Sequence, residues 1–385
     1  MTLSVRVVDA TEEFYKLKSI WADLIANDTK ASIFQSWAWQ YGWWKNYAQG
    51  KSLRILLAED NNSVCGILPM YLAEYRLFRM IPVCELRLIG TGGDTSPDYL
   101  GPIILSAKEV EVNAVFADFI KHSKDWDVVQ LADLSSDYLL PSQLMQQLAS
   151  SVGYSAFKNC AEICYAQLPA TWDEYMLTLS KSRRAHLRHC RKKFFTDESR
   201  KFYLWKDLDG INGAMAHLKK LHHMRWQGRA DSFSFNSEPY IAFHNDLART
   251  LLEEDALRLY CLEADGVIIA MLYCYRWRGQ IYYVQAGFDS AWHKYSPGMI
   301  LLGHMMESAI SEGNHTVDYL KGDHEYKKSL AKDTRATKAL LLVKNSASGL
   351  AYRLRRIILP ALMAQCRQVI NKFSKNRSQQ ESLSE

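Results

Sequence analysis

The chain has 385 residues, of which 48% are hydrophobic and 23% are charged, and it is rich in Trp (11) and Tyr (21). This composition is typical of globular proteins and excludes fibrous and intrinsically disordered classes, and the length allows two or three domains. The N-terminal sequence MTLSVRVVDATEEF lacks the basic and apolar regions of a signal peptide, and no apolar run approaches the roughly 18 residues of a membrane-spanning helix. We therefore expect a cytoplasmic protein.

Charge is distributed unevenly along the chain. The formal net charge is +5, but residues 334–380 contain ten Lys and Arg and no Asp or Glu, so a mildly acidic body is followed by a basic tail. The eight cysteines are scattered and form no Cys-x-x-Cys pair. The sequence therefore predicts neither a zinc site nor a disulfide framework, and we expect no bound metal.

Tryptophans crowd one short helical stretch near the N-terminus. Trp39 and Trp43 are four residues apart on one helical face, so we expect them in a core, while Trp37 and Trp44 lie on other faces. An exposed tryptophan in this stretch would stack on a sugar ring.

Two stretches of the chain, residues 53–71 and 257–275, align without a gap. Each contains two β-rich runs around a turn, which predicts a hairpin, and each is followed by a helical run and a further strand. Only five of the nineteen aligned positions are identical, so unrelated hairpins are an alternative, but the repeated order of elements favours duplication. The sequence predicts a mixed α/β (α+β) fold with an N-terminal domain (1–165), a second domain (166–345) and a basic amphipathic helical tail (346–385).

A basic helix is predicted between the two domains, in SKSRRAHLRHCRKKF (Ser180 to Phe194). It has a thin apolar line of Leu187, Cys190 and Phe194, and its other positions are largely cationic. Arg183 and Arg184 are candidate ligands for an anionic substrate, and a solvated surface helix is the alternative.

A second helix, predicted within HKYSPGMILLGHMMESAISEG, opens unusually. Ser296 suits the N-cap and Pro297 the first turn, but Gly298 is a poor helix former. A glycine at a helix N-terminus lets an anion approach the unpaired backbone N–H groups, so a phosphate site is one interpretation and an ordinary capped helix is the other. Gly313 is the predicted end of this helix.

Acids, bases and cations gather in VDYLKGDHEYKKSL, after a short apolar strand. Binding crevices of open α/β sheets lie at the carboxyl ends of strands. Asp323 or Glu325 would take a proton from an amine nucleophile, Tyr326 would return one to a leaving group, and Lys327 would stabilise an oxyanion. A charged surface loop is the alternative.

The segment from Leu259 to Leu330 resembles the C-terminal half of GNAT-fold acyltransferases of the CelD/BcsL type, which are related to the FemAB peptidyl transferases. The likeness extends through FQSWAWQYGWWKNY, GILPM, the Asp98-Tyr99 pair, the basic helix and LHHMRW, and covers most of residues 30–335. It implies two tandem GNAT-like domains, the second of which holds the acyl donor. The motif around Gly298 is shorter than the usual GNAT phosphate loop.

The resemblance also implies roles for individual residues. The donor pyrophosphate would lie at the start of the second helix, and its pantetheine arm along the preceding strand. The acceptor would lie between the domains. The implied donor-binding residues are Tyr283, Gln285, Tyr295, Ser296, Gly298 and Met299. The implied acceptor-binding residues are Asp98, Tyr99, Arg183, Arg184 and Arg225.

Together these features predict an N-acyltransferase that moves an acyl group from acyl-CoA, such as acetyl-CoA, to an amine of a saccharide or cell-envelope precursor. FemAB relatives use aminoacyl-tRNA, so such a transferase is the first alternative, and otherwise nucleic acid is not expected. A non-catalytic subunit of a polysaccharide-synthesis complex is the second. Residues 346–377 alternate apolar and basic side chains around Pro360, which predicts a break in the helix there. This tail would dock on the body or contact the inner membrane surface.

Overall fold

A computed structural model describes residues 3–226, 234–322, 330–331 and 333–367, and its fold is mixed α/β, as the sequence predicts. The strands are β1 Ser4–Val8, β2 Lys51–Leu53, β3 Ile55–Asp60, β4 Ser63–Leu68, β5 Met70–Leu77, β6 Ile81–Leu88, β7 Ile103–Ile104, β8 Val128–Ser135, β9 Tyr154–Gln167, β10 Lys201–Leu204, β11 Leu257–Ala264, β12 Val267–Trp277, β13 Gln280–Phe288, β14 Thr316–Asp318 and β15 Asp333–Val343.

The helices of the described residues pack on both sides of these strands. They are α1 Thr11–Lys16, α2 Lys18–Asn27, α3 Trp37–Tyr47, α4 Glu109–His122, α5 Leu140–Leu148, α6 Trp172–Thr178, α7 Lys181–Phe194, α8 Ile211–Trp226, α9 Glu238–Glu253, α10 Pro297–Ser311 and α11 Ala347–Tyr352. The helix that begins with α11 continues to residue 367, and we call residues 347–367 the C-terminal helix.

The strands form a large sheet with the order β10-β11-β12-β13-β14-β9-β15-β8-β6-β5-β2 and a four-stranded sheet with the order β1-β3-β4-β7. The two predicted hairpins are confirmed as β3–β4 and β11–β12. Each is followed by two parallel strands joined through a helix, β6–α4–β8 and β13–α10–β14. The halves of the chain therefore repeat one order of elements.

Two long strands join the halves. β9 crosses the predicted boundary at 165/166 and pairs with both β14 and β15, and β15 also pairs with β8. The 1–165 and 166–345 domains thus share one continuous sheet, and the position of their boundary stays a prediction.

The core residues that the apolar pattern of the sequence predicts are buried in the structure. Trp39 and Trp43 are buried, and Trp37 stacks on Tyr41 with its ring partly exposed. In α7, the predicted apolar line is the buried face of the helix. Five of the cysteines are buried.

One local prediction about helices is wrong. The C-terminal helix does not break at Pro360, because it widens to a π-helical segment at Arg353–Ile358, where the hydrogen-bond pattern changes before the missing proline N–H is reached. Ser296 occupies the N-cap of α10 as predicted, although its backbone is left-handed (φ 55°) and its side chain makes no capping hydrogen bond. Gly313, also left-handed (φ 72°), follows the end of this helix as predicted.

Candidate functional site

An opening lies where β13 and β14 separate. The two parallel strands pair only from Gln280–Tyr282 to Thr316–Asp318, and the amide of Tyr319 then bonds to the Cys164 carbonyl of β9 at 3.0 Å. On its other side, β13 has an irregular register with β12 next to Cys274. Such irregularities re-aim a strand, and here this occurs just beyond the point where β14 leaves.

A cavity of about 180 Å³ occupies this opening, between β13, the start of α10, α7 and α8. Its wall is mainly apolar, with two arginines. The lining residues are Arg183, Arg225, Leu272, Tyr283, Ala286, Gly287, Phe288, Gly298, Met299, Leu301, Leu302 and Leu330. An apolar slot with a few cationic groups suits a flexible chain that carries an anionic end.

The first turn of α10 borders the cavity. The amides of Met299 and Ile300 donate to the Ser296 carbonyl at 2.9 and 3.2 Å. Gly298 has no positive φ, and a Cβ built on it would lie 3.9 Å from the Phe288 ring, an ordinary contact. Neither the backbone nor the packing of the protein therefore requires glycine at 298. Its bare backbone faces a cavity, which is the arrangement that an approaching phosphate needs.

The neighbouring arginines of α7 are placed differently. Arg183 lines the cavity, whereas the Arg184 guanidinium donates to the carbonyls of Met176, Leu177 and Leu179 at 2.8 to 3.3 Å. Arg184 thus satisfies the carbonyl end of α6.

Arg225 lines the cavity from α8. Its guanidinium donates to the Ala286 carbonyl at 3.3 Å and lies 5.6 Å from the centre of the Phe288 ring. It therefore sits beside the part of β13 that has lost its parallel neighbour.

The other predicted donor residues are spread around the cavity. Tyr283 and Met299 line it, and Gln285 donates to the Ser234 hydroxyl at 2.7 Å. Tyr295 packs against Phe194 and receives a 3.4 Å bond from Arg200. Neither Tyr295 nor Ser296 is among the lining residues.

A buried histidine supports the wall. His222 is buried, its Nδ1 lies 3.3 Å from the Ala286 carbonyl, and burial lowers its pKa to about 4, so it is neutral at physiological pH. His223 points elsewhere and is exposed, as expected for adjacent helical positions. Among the described residues, no group of three His, Cys, Asp or Glu side chains is arranged to hold a metal ion.

Asp98 and Tyr99 lie in a buried polar network between the halves. The Tyr99 hydroxyl donates to Asp318 at 2.8 Å and accepts from Arg335 at 2.8 Å, and Arg335 forms an ion pair with Asp318. Asp98 accepts from the Lys321 amide at 3.0 Å. Burial raises the pKa of Asp98 to about 7, against the opposing effect of the Lys321 cation.

This network fixes the chain just before the predicted catalytic segment. Lys321 also donates through Nζ to Asp133 at 2.7 Å. Asp323, Tyr326 and Lys327 lie outside the described residues. After this segment, Leu330 lines the cavity, so both flanks of the segment have defined positions.

Sequence reasoning missed the Asp318–Arg335 pair and the wall residues Leu272 and Leu330. A polar residue in the apolar run TVDYL was the available signal for Asp318. No local signal identifies Arg335, because its partners come from β14 and from a loop 236 residues away in sequence.

Comparisons with known proteins agree with this geometry. Residues 181–328 match the sequence model described as an acetyltransferase (GNAT) domain. This part of the chain is therefore similar to GNAT-type acetyltransferase domains, which supports the acyltransferase class expected from the sequence. Comparison with curated proteins gives no significant match.

Solved structures resemble the chain over most of its length. It is similar to FemX, at 12% identity over 91% of this chain and 99% of that one, with a TM-score of 0.60. It is similar to L-PGS from Bacillus licheniformis, at 13% identity over 88% and 96%, with a TM-score of 0.52. A conserved protein of unknown function from Bacteroides thetaiotaomicron is similar at 13% identity over 89% and 100%, with a TM-score of 0.52. These likenesses extend the shared fold beyond the GNAT match to both halves.

Proposed function

We propose that the protein transfers an acyl group from acyl-CoA to an amine of a sugar or of a cell-envelope or exopolysaccharide precursor, as in the CelD/BcsL type of acyltransferase. The observation that carries the proposal is the cavity between β13 and β14, which adjoins Gly298 at the start of α10. This geometry accounts for a glycine that the protein itself does not require.

The lining of the cavity supports a pantetheine thioester as the donor. Leu272, Met299 and Leu302 give an apolar wall for the acyl chain and the arm. The strand edge beyond Tyr282 has lost its parallel neighbour, so the pantetheine arm would lie along this edge. The Gly298 backbone and the Arg183 guanidinium would meet the phosphates.

The chemistry proposed is direct transfer within a complex of both substrates. The amine nitrogen attacks the thioester carbonyl, a C–N bond forms, the C–S bond breaks, and the amine proton ends on the departing sulfur. Asp323 would accept that proton, Tyr326 would supply one to the thiolate, and Lys327 would stabilise the oxyanion. Asp98 and Tyr99 would act through the position of the segment that follows Lys321.

A FemAB-like aminoacyl transferase is the second candidate. The likeness to FemX over nearly the whole chain supports it, as does the basic surface of α7, on which Arg188, Lys192 and Lys193 are exposed. A tRNA backbone would contact several of these cations, whereas the cavity needs only Arg183 for a coenzyme phosphate.

Ligand-dependent thermal stability tests the proposal. Acetyl-CoA or a longer acyl-CoA should raise the melting temperature if the first candidate is right, and charged tRNA should do so for the second. Arg183→Gln should weaken coenzyme binding and the matched Arg188→Gln should not, whereas both should weaken tRNA binding. If neither donor changes the melting temperature, the proposal is wrong and a non-catalytic role replaces it.

Gly298→Ala gives a sharper test, because it should raise the stability of the free enzyme and lower its affinity for the donor. The methyl group has room in the protein, so the free enzyme should gain about 0.5 kcal/mol of stability, while donor affinity should fall about tenfold or more. Gly213→Ala in α8 is the matched control, since nothing lies within 4 Å of its Cβ and it is also near a helix start. It should stabilise without changing donor affinity, and an equal loss of affinity in both variants would refute the site.

A further inference from the structure

Two elements that are far apart in sequence but share one small apolar cluster each expose large apolar side chains. At the turn between β5 and β6, Phe78 is 52% exposed and Met80 is 75% exposed. The C-terminal helix exposes a row of apolar residues at helical spacing. These are Leu354, Ile358, Leu359, Leu362 and Met363.

A small apolar cluster holds these elements together. Leu77 and Val83 of the hairpin pack with Ala351 and Tyr352 of the C-terminal helix, with Ile81 and Ile357 at the edge of the cluster. Phe78 and Met80 flank the hairpin part of this cluster, and Leu354 and Ile358 flank the helical part. The first turns of the helix therefore dock on the body, while the later turns expose apolar side chains. We call Phe78, Met80 and these five helical residues the apolar surface.

The turn has an aromatic residue, Phe78, at a position whose backbone conformation disfavours one. Phe78 and Arg79 have left-handed conformations, with φ of 50° and 65°. Glycine or asparagine adopts this conformation with less strain, and a bulky residue there is unusual. Folding alone does not explain an exposed phenylalanine at this position, which indicates a use for the ring.

Cations surround the apolar surface. Arg76 and Arg79 are exposed on the hairpin, and Arg355, Arg356 and Arg367 are exposed on the helix. Residues 334–380 contain no acidic residue. The neighbouring carboxylates, Glu74 and Asp127, line a cleft with Ser348 at the start of the helix. Apolar side chains ringed by arginines match the interface of an anionic bilayer.

We propose that the apolar surface and its arginines bind the face of an anionic lipid bilayer. In the part of the chain that the structure describes, no helix is long and apolar enough to cross a membrane, so contact would be peripheral. A second copy of the chain fits less well, because a twofold contact would bring two sets of arginines together, whereas the described part of the helix, residues 347–367, has no carboxylate to pair with them. The proposal does not depend on which acyl donor is used.

Vesicle flotation with the full chain tests the proposal. The protein should float with vesicles in which about a third of the lipid is phosphatidylglycerol, and much less with phosphatidylcholine alone, and added salt should weaken binding. Ile358→Ser/Leu362→Ser should reduce binding about tenfold or more. The control Val110→Ser/Leu177→Ser removes apolar residues that are 60% and 73% exposed elsewhere, and it should leave binding unchanged.

Two further comparisons separate apolar from ionic contributions. Phe78→Asn should raise the melting temperature, because asparagine tolerates the left-handed backbone, and yet weaken vesicle binding. Arg355→Gln/Arg356→Gln should weaken binding to anionic vesicles, and Lys16→Gln/Lys201→Gln, at exposed positions elsewhere, should do so much less. The proposal fails if wild-type protein does not bind anionic vesicles, or if the apolar variants bind like wild type. A dimer in sedimentation equilibrium that the same variants dissociate, with no vesicle binding, would also overturn it.

Discussion

Arg335→Met should destabilise the protein strongly, because it would leave Asp318 as a charged group without its ionic partner. The Asp318 side chain is fully buried, and the Arg335 side chain is 34% exposed. In the wild type, Asp318 accepts hydrogen bonds from Arg335, from the Tyr99 hydroxyl at 2.8 Å and from the Leu320 amide at 2.7 Å. After the substitution, two neutral donors remain.

The size of the stability loss follows from the removal of the ionic partner of a buried carboxylate. Removal of one partner from a buried pair typically costs about 3 to 5 kcal/mol, and the partial exposure of Arg335 favours the lower end, about 3 kcal/mol. Asp318→Asn should cost less, because the Arg335 cation that it leaves behind reaches water. A surface comparison is Arg6→Met, whose partners Glu13 and Glu59 are more exposed and which should cost about 1 kcal/mol or less.

Urea unfolding followed by tryptophan fluorescence would give the three free energies of unfolding. The expected order of loss is Arg335→Met, then Asp318→Asn, then Arg6→Met. If Arg335→Met and Arg6→Met lost equal stability, the pair would not behave as buried, and its role in fixing the chain before Asp323 would lose its support.

Other predictions concern packing and titration. Gly287→Ala should lose about 3 kcal/mol, because its Cβ would lie 2.3 Å from the His222 amide nitrogen, whereas Gly42→Ala, with its nearest contact at 3.5 Å, should be neutral or stabilising in the same urea assay. Burial raises the pKa of Asp98 to about 7, so the contribution of Asp98 to stability falls as pH rises from about 4 to 7. The stability of wild type relative to Asp98→Asn should therefore be lower at about pH 8 than at about pH 5. Burial lowers the pKa of His304 to about 3, so the contribution of His304 to stability is lost as pH falls below about 6.5. In chemical unfolding curves, His304→Phe should therefore lose less stability than wild type between about pH 7 and pH 5. If the free energy of unfolding of a variant changed with pH as much as that of wild type, the titration argument for that residue would be contradicted.

Local patterns in the sequence predict the elements that build the site. The spacing of Leu187, Cys190 and Phe194 predicts the buried line of α7, and both hairpins follow from paired β-rich runs around turn residues. The parallel pair of strands around α10 follows from the order strand, helix, strand. These features depend on neighbours within a few residues or turns, so a single sequence contains them.

Other features depend on contacts between distant segments. Arg183 and Arg184 are adjacent and chemically alike, yet one lines the cavity and the other bonds to the end of α6, and the sequence has no signal that separates them. The buried network of Asp98 and Asp318 needs residues from both halves, and so does the position of β9 between β14 and β15. The acceptor-binding roles expected for Asp98 and Arg184 came from the family resemblance, which carries no information about burial, because burial is decided by the packing of the whole chain.

The pairing of β15 with β8 and β9 has a consequence for biosynthesis. β8 and β9 are made early, but their shared neighbour, Asp333–Val343, leaves the ribosome only after the elements from α6 to β14. Until then both strands keep open edges that invite pairing with other chains. Completion of the nascent N-terminal half must therefore wait until Asp333–Val343 has been made, and the emerging protein needs shielding from aggregation until that strand arrives.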